Sequence, residues 1–327
     1  MLRRIRVVPL AAESLGVRSM CTYVETPDTR ILLDAGVSLC PNRFGLPPHP
    51  KEFRAIVESR RRIARAAEKA EVVTISHYHY DHHTPSFEDW LVNWTDAGET
   101  ARQIYENKTL LIKNPREQIN YSQRERAWMF SKTGGKYAKK IENADGKTFT
   151  FGATSVKFSE PVFHGPENSE LGWVLMTTIT SQDEKFLLAP DVQGPMYART
   201  LQTIIDENPQ LLMIGGPPLY LSPLKVGQNE IQNGLRNLGE IARKIPNVIL
   251  DHHVLRDENW QQSTINIFYD GYRSGSTILT AAEFLGKKNV LLEASRKRLF
   301  NENPPPKEFE TWMKANDETM KHTKPPI

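Results

Sequence analysis

The chain has 327 residues, 39% of them hydrophobic and 25% charged, which is the make-up of a globular protein with a core of normal size and excludes a disordered or fibrous one. Its 42 Lys and Arg against 39 Asp and Glu leave a formal net charge of +3, no support for a general polyanion binder, and its 2 cysteines, Cys21 and Cys40, cannot make a disulfide framework. The apolar run after the basic Met1–Val8 start is too short for a signal core, and no stretch approaches the ~20 apolar residues of a membrane span, so a cytoplasmic protein without membrane contact is expected.

Residues 4–10 and 20–26 read as strands, and Ile31-Leu32-Leu33 is an apolar strand ending at Asp34. After the Pro-rich loop at 46–50, the spacing of Phe53, Ile56, Val57, Ile63, Ala64 and Ala67 predicts a helix over 51–69, with Arg60, Arg61, Arg62 and Arg65 mostly on its solvated side. The short strand Val72–Ile75 follows. From 84 to 145 the pattern is helical and polar around a strand at 109–113, which suggests an insertion over the site described below. Its second helical stretch, Tyr121 to Lys140, interleaves Arg124, Arg126, Lys132, Lys136, Lys139 and Lys140 with Tyr121, Trp128, Phe130 and Tyr137. Such a pattern can hold nucleic acid, although it is more often a set of half-buried anchors.

Strands resume at 147–151, 155–158, 161–164, 172–176 and 185–191, and again at 211–214 and 248–253, with helices expected at about 195–206 and 228–244. Residues 258–317 look mainly helical, and 321–327 reads as a loose tail. Two batches of strands, each followed by helices, predict an α/β protein of two sheets packed face to face with helices outside, one domain over 1–320. Trp90, Trp94, Trp128, Trp260 and Trp312 fall in helical stretches, where a cluster could form a face between copies of the chain.

The chemistry is carried by the 9 histidines, four of which sit in Ser76-His77-Tyr78-His79-Tyr80-Asp81-His82-His83 directly after an apolar strand. On an extended segment His77 and His79 project to the same side, while Asp81 and His82 lie where the turn can swing them round, so two ligand sets can face two neighbouring metals. Imidazole with carboxylate suits zinc first, and also iron or manganese; the absence of cysteine ligands points to a catalytic rather than a structural site.

His77-x-His79-x-Asp81-His82 resembles the signature of the metallo-β-lactamase-fold superfamily, and further motifs follow in that superfamily's order. Asp34 resembles the acid that orients the metal loop, His164 the lone histidine at a strand end, Asp191 the bridging carboxylate, and the pair His252-His253 the last histidine motif. Alone, His164 would read as a core or surface histidine and Asp191 as a helix N-cap; their order and strand-end placement favour the motif. The resemblance implies a four-layer αβ/βα sandwich with a helical insertion and a helical C-terminal extension. It also implies two divalent ions, with His77, His79 and His164 on the first, Asp81, His82 and His252 on the second, and Asp191 bridging. His253 is the alternative to His252, in a stretch that overlays loosely on the His-x-Ser-x-Arg of ribonuclease Z-like members. Asp34 and His83 are expected to support the ligands by hydrogen bonds. The overall pattern is similar to a mainly archaeal branch of the superfamily, for which the resemblance supplies no substrate.

Two such ions bring a bridging hydroxide within reach near neutral pH, so hydrolysis is the expected activity, with Asp81 and Asp191 as catalytic carboxylates. Redox members carry a glutamate where this chain has His79, which argues against oxygen reduction. A phosphodiester, in a nucleotide or a nucleic acid, is the favoured substrate. Weak support comes from Arg273-Ser274 read as the phosphate-holding start of an apolar helix. Ester, thioester, lactone or amide hydrolysis is the alternative, and a metal-binding regulatory protein with little turnover a third reading.

Overall fold

The computed structural model describes residues 2–93, 96–221 and 226–327, with Ala97 described by its backbone alone. Trp94 lies outside the described residues. The first sheet has the order β1-β2-β3-β4-β5-β6, formed by β1 (Arg6–Pro9), β2 (Thr22–Glu25), β3 (Arg30–Leu33), β4 (Val72–Ile75), β5 (Thr109–Ile112) and β6 (Lys140–Asn143). Helices α1 (Pro50–Ala67), α2 (Ala97–Tyr105) and α3 (Tyr121–Lys132) are the crossovers that its parallel pairs from β3 to β6 require. The second sheet takes β7 (Thr148–Phe151), β8 (Thr154–Phe158), β11 (Thr177–Ser181), β12 (Glu184–Ala189), β13 (Leu211–Gly215), β14 (Asn247–Asp251) and β15 (Thr277–Leu279), in the order β15-β14-β13-β12-β11-β8-β7. Between β8 and β11 stands a short ribbon of β9 (Val162–Phe163) and β10 (Trp173–Val174). Helices α4 (Ala198–Glu207), α5 (Gln228–Lys244) and α6 (Trp260–Ser274) cross over between the parallel strands β12 to β15. The chain ends in α7 (Ala281–Phe284), α8 (Arg296–Glu302), α9 (Lys307–Met313) and α10 (Asp317–His322).

Period-two alternation decides the layers. Ile31 and Leu33 of β3, Phe186 and Leu188 of β12, and Met213 and Ile249 of the next two strands meet in a core between the sheets. The alternate residues point outward. Leu32, Val73 and Ile75 pack with Phe53, Ile56 and Ile63 of α1, and Leu187, Leu212, Ile214 and Leu250 pack with Ile204, Leu238 and Ile241 of α4 and α5. Two sheets whose central strands are buried on both faces, with two helical layers outside them, make the four-layer αβ/βα sandwich.

Several segments differ from the sequence expectation. The stretch at 84–145 carries α2 and α3 but also extends the first sheet by β5 and β6, so it belongs to the sandwich as well as flanking the site. Tyr121 to Lys140 is not one helix: α3 stops at Lys132, a 3₁₀ turn spans Gly134–Tyr137, and Lys140 opens the edge strand β6. Trp90 lies in a turn, Trp128 in α3 is 57% exposed, and Trp260 and Trp312 are buried anchors. The tail is docked at its start, because Trp90 N–H donates to the Lys321 carbonyl and Trp312 Nε1 donates to that of Thr323. No helix among the described residues is long and apolar enough to cross a membrane.

Arg273 and Ser274 need correction. They are the last residues of α6, which Gly275 closes in the left-handed region at φ 78°, so this helix end offers carbonyls where an anion needs N–H groups. The strand that follows pairs Thr277 with Asn247, at the start of β14. His252 leaves the far end of that strand, roughly 13 Å away at about 3.3 Å per residue, so this corner cannot serve the histidine cluster.

Buried ion pairs tie the C-terminal segment to the first half. Arg296, fully buried, forks onto Glu52 at 2.7 and 2.8 Å and also donates to the carbonyls of Cys40 and Leu46. Arg18 grips Glu293 at 2.5 and 2.6 Å. Burial opposes ionisation of Glu293, but Arg18 more than offsets it and holds the carboxyl down at about 2. A folded-state value below the unfolded one stabilises the fold above about pH 4.5, and that stabilisation is lost as pH falls toward 2, a contribution on the order of 3 kcal/mol. Glu293→Gln is therefore expected to lower the melting temperature at pH 7 and to flatten its fall between pH 5 and 3. A parent-like pH dependence of thermal unfolding in the variant would contradict this.

Candidate metal centre

Every motif residue sits at the C-terminal end of a strand, on one rim of the sandwich, where open α/β sheets place their ligand sites. Asp34 follows β3, the His77–His83 loop follows β4, His164 follows β9, Asp191 follows β12 and His252 follows β14. Asp34, Asp191 and His252 have left-handed φ of 47°, 46° and 67°, a turn that sends each chain away from its strand while the side chain stays at the rim. Gly36 lets two of these segments touch: a Cβ there would lie 2.3 Å from His83 N and 2.5 Å from His82 N.

Asp191 is the meeting point. Its Oδ2 lies 2.8 Å from His164 Nε2, 3.2 Å from His77 Nε2 and 3.9 Å from His79 Nδ1. Its Oδ1 lies 2.9 Å from His252 Nε2, 3.3 Å from His82 Nε2 and 3.5 Å from His253 Nε2. Asp81 joins the second group, with Oδ2 3.6 Å from His252 Nε2. The structure thus brings together His77, His79, Asp81, His82, His164, Asp191, His252 and His253. His83 turns away: its Nδ1–H donates to the His79 carbonyl at 3.0 Å, its ring packs against Tyr78, Tyr80 and Phe130, and burial lowers it to about 3.

Hydrogen bonds on the far side of four of the rings fix which nitrogen faces inward. His82 Nδ1–H donates to Asp34 Oδ2 at 2.8 Å, leaving Nε2 unprotonated. Ser76 spends its single hydroxyl proton on the same Asp34 oxygen at 2.5 Å and therefore accepts from His77 Nδ1–H at 3.0 Å, which again leaves Nε2 unprotonated, 3.0 Å from His79 Nδ1. His252 Nδ1–H donates to Glu13 Oε2 at 2.7 Å. The Gln193 amide lies 3.3 Å from His164 Nδ1, and turned by 180° its unpartnered Oε1 accepts from Nδ1–H.

Lone pairs consequently face carboxylate oxygens. His82 Nε2, His164 Nε2 and Asp191 Oδ1 are buried without a hydrogen-bond partner, and acceptors opposed in this way are satisfied by a cation. The electrostatics call for positive charge at the centre, which ring protons supply until a metal displaces them from Nε2. Burial opposes charge on His82 and His252, yet Asp191 and Asp34 raise the first well above its usual value, and Glu13 and Asp191 raise the second to about 9. Burial lowers His77 well below its ordinary value and His79 to about 4. Burial also works against ionised Asp81 and Asp191, but the surrounding histidines hold both carboxyls well below the usual range. Divalent ions fit this donor set: His77, His79, His164 and Asp191 could hold one, and Asp81, His82 and His252 another, while Asp191, His252 and His253 also converge closely enough to share an ion.

Sequence reasoning missed Ser76, Glu13 and Gln193. Ser76 had a signal, a small polar residue between the strand and the first histidine. Glu13 had none, because it reaches His252 across 239 residues. Arg256 was visible in the last motif without a role; it donates to Glu13 Oε1 at 2.6 Å and to Asp81 Oδ2 at 3.4 Å.

The strand-end motifs in this order, on the rim of an αβ/βα sandwich, define a metallo-β-lactamase-fold protein with a cluster suited to divalent metal. The chain belongs to the UPF0282 family. It is 45% identical over 298 residues to the UPF0282 protein of Methanopyrus kandleri, covering 91% of this chain and 100% of that one. It is 45% identical over 296 residues to that of Methanocaldococcus jannaschii (90% and 96%) and 38% identical over 300 residues to that of Korarchaeum cryptofilum (92% and 96%). These relatives match the archaeal branch expected from the sequence. No family model matches the chain. Among solved structures it is similar to the metallo-β-lactamase fold protein YhfI from Bacillus subtilis, at 14% identity and a TM-score of 0.48 over 88% of this chain and 99% of that one. A diphosphatase from the PhnP family aligns at 11% identity and a TM-score of 0.45, over 76% and 87%.

Because Asp34 sets two of the rings, Asp34→Ala is expected to weaken zinc binding ten- to a hundred-fold in a chelator competition, and Ser76→Ala, which frees only His77, to weaken it less. Parent-like zinc affinity in Asp34→Ala would remove the orienting role assigned to this carboxylate.

Proposed function

We propose that this protein is a binuclear metal-dependent hydrolase that acts on a phosphodiester, in a nucleotide or a nucleic acid. The observation that carries the reading is the division of Asp191, whose Oδ2 faces His77, His79 and His164 while Oδ1 faces His82 and His252. Divalent ions bound there, zinc first and iron or manganese as alternatives, would supply activated water and polarise the electrophile. Asp34, Ser76 and Glu13 would keep three ring lone pairs directed inward. Asp81, ionised and with a side chain 13% exposed, is placed to orient a water or accept its proton.

Two part-exposed arginines near the cluster, Arg43 and Arg126, favour an anionic substrate. Arg256 donates to Asp81, and its backbone carbonyl accepts from Arg43, whose guanidinium is stacked 4.4 Å from the Tyr220 ring and 4.6 Å from that of Phe44. From α3, Arg126 lies 4.7 Å over the ring of Tyr80, between His79 and Asp81. Planar guanidinium groups suit phosphate oxygens, and the stacked rings suit a base or another flat leaving group.

The test is turnover by zinc- and manganese-loaded protein on bis-p-nitrophenyl phosphate beside a thioester and a lactone panel. Phosphodiester cleavage is expected to lead the panel and to fall at least a hundred-fold in Asp191→Ala. Acyl turnover without phosphodiester cleavage would replace the substrate class, and Asp191→Ala working at the parent rate would remove the mechanism.

A further inference from the structure

His252 and His253 are adjacent, and both point Nε2 at Asp191 Oδ1, at 2.9 and 3.5 Å. Their outer nitrogens differ in kind. His252 Nδ1 faces the Glu13 carboxylate, which can only accept, so the ring proton sits on Nδ1 and Nε2 keeps its lone pair. Arg256 Nη2 also approaches both nitrogens of this ring, at 3.4 and 3.5 Å, contacts too long to compete with the 2.7 Å carboxylate bond. His253 Nδ1 instead faces Arg256 Nη1 at 3.2 Å, and a guanidinium can only donate. His253 Nδ1 is therefore the acceptor, and the proton of the neutral ring sits on Nε2. An amide can turn to relieve such a conflict, as at Gln193; a guanidinium cannot. Arg256 is itself held by Glu13 at 2.6 Å and by the Tyr220 hydroxyl at 3.3 Å.

We propose that His252 alone is the metal ligand of the pair and that His253 is a substrate-facing hydrogen-bond donor, presenting Nε2–H to a phosphoryl oxygen bound beside Asp191. This rests on the hydrolase reading above and adds a residue to its substrate site. The His252 side chain is 0% exposed and that of His253 is 10% exposed, with its Nε2 atom buried against Asp191. His253 Nε2 also has no hydrogen-bond partner in the structure. A donor positioned before substrate arrives can stabilise charge on a phosphoryl oxygen without reorganisation. Arg256 acts through His253 as a positioning residue.

Zinc content, inorganic phosphate binding and turnover separate the roles. His253→Ala and His253→Gln are expected to retain two zinc ions per chain after gel filtration. Alanine should weaken phosphate binding about ten-fold or more by calorimetry, as loss of a hydrogen bond to a charged group does, and glutamine, which keeps an N–H donor, should restore part of it. His252→Ala is expected to lose one zinc. Loss of zinc from His253→Gln, or parent-like phosphate affinity in His253→Ala, would overturn the proposal. If the parent holds two zinc ions and phosphate but cleaves no phosphodiester, the substrate class fails and the zinc and phosphate measurements still decide the role of His253. A parent that takes up no zinc would defeat both.

Discussion

A carboxylate packed among imidazoles has to be electrically balanced, and at Asp191 the surroundings permit few ways to do it. The group is 1% exposed and has histidine nitrogens about both of its oxygens. Bulk solvent hardly reaches it, so protons or cations must lie between the acceptors. Asp34, Ser76 and Glu13 remove much of that freedom by claiming ring protons on the outer nitrogens. What remains is a concave set of lone pairs that one-sided hydrogen bonding has aimed in advance. The neutral arginine-fixed ring of His253 stands among them as the exception, a donor in a ring of acceptors.

The fold explains how so many segments reach one carboxylate. Parallel strands deliver their C-terminal ends to a common rim, and both sheets contribute: Asp34 and the histidine loop come from the first, Asp191 and His252 from the second. The core between the sheets fixes the distance between these two sources. Local backbone serves the same end, since Gly36 leaves room for the amides of His82 and His83 where a side chain would collide with them.

Much of this was legible in the sequence, and the limits have physical causes. Strand-end acids and histidines could be read because apolar runs such as Leu187-Leu188-Ala189 stop abruptly at them. The edge strand β6 was hidden because Lys140-Ile141-Glu142-Asn143 is polar and largely exposed, so it lacks a buried face to impose a pattern. Strand β11 was hidden among threonines, and β15 was mistaken for a helix start because Gly275 closes one element immediately before the next begins. Within the site, ligand residues announced themselves by clustering. Their supports did not, because Glu13 and Gln193 become neighbours of His252 and His164 only through the tertiary fold.

The bond from Glu13 to His252 joins the first strand-loop of the chain to its last histidine motif, and Arg256 returns to the same carboxylate across 243 residues. Contacts of such sequence separation form after loop closure has been achieved elsewhere, so the centre is complete only when both sheets have docked. A nascent or partly folded chain would carry the His77–His83 loop without its opposing half, and would meet metal as a flexible histidine-rich peptide. Selectivity for a metal ion, in such a chain, is a property of the finished sandwich, and an ion stabilises the fold by the margin with which the finished site outbinds the open loop.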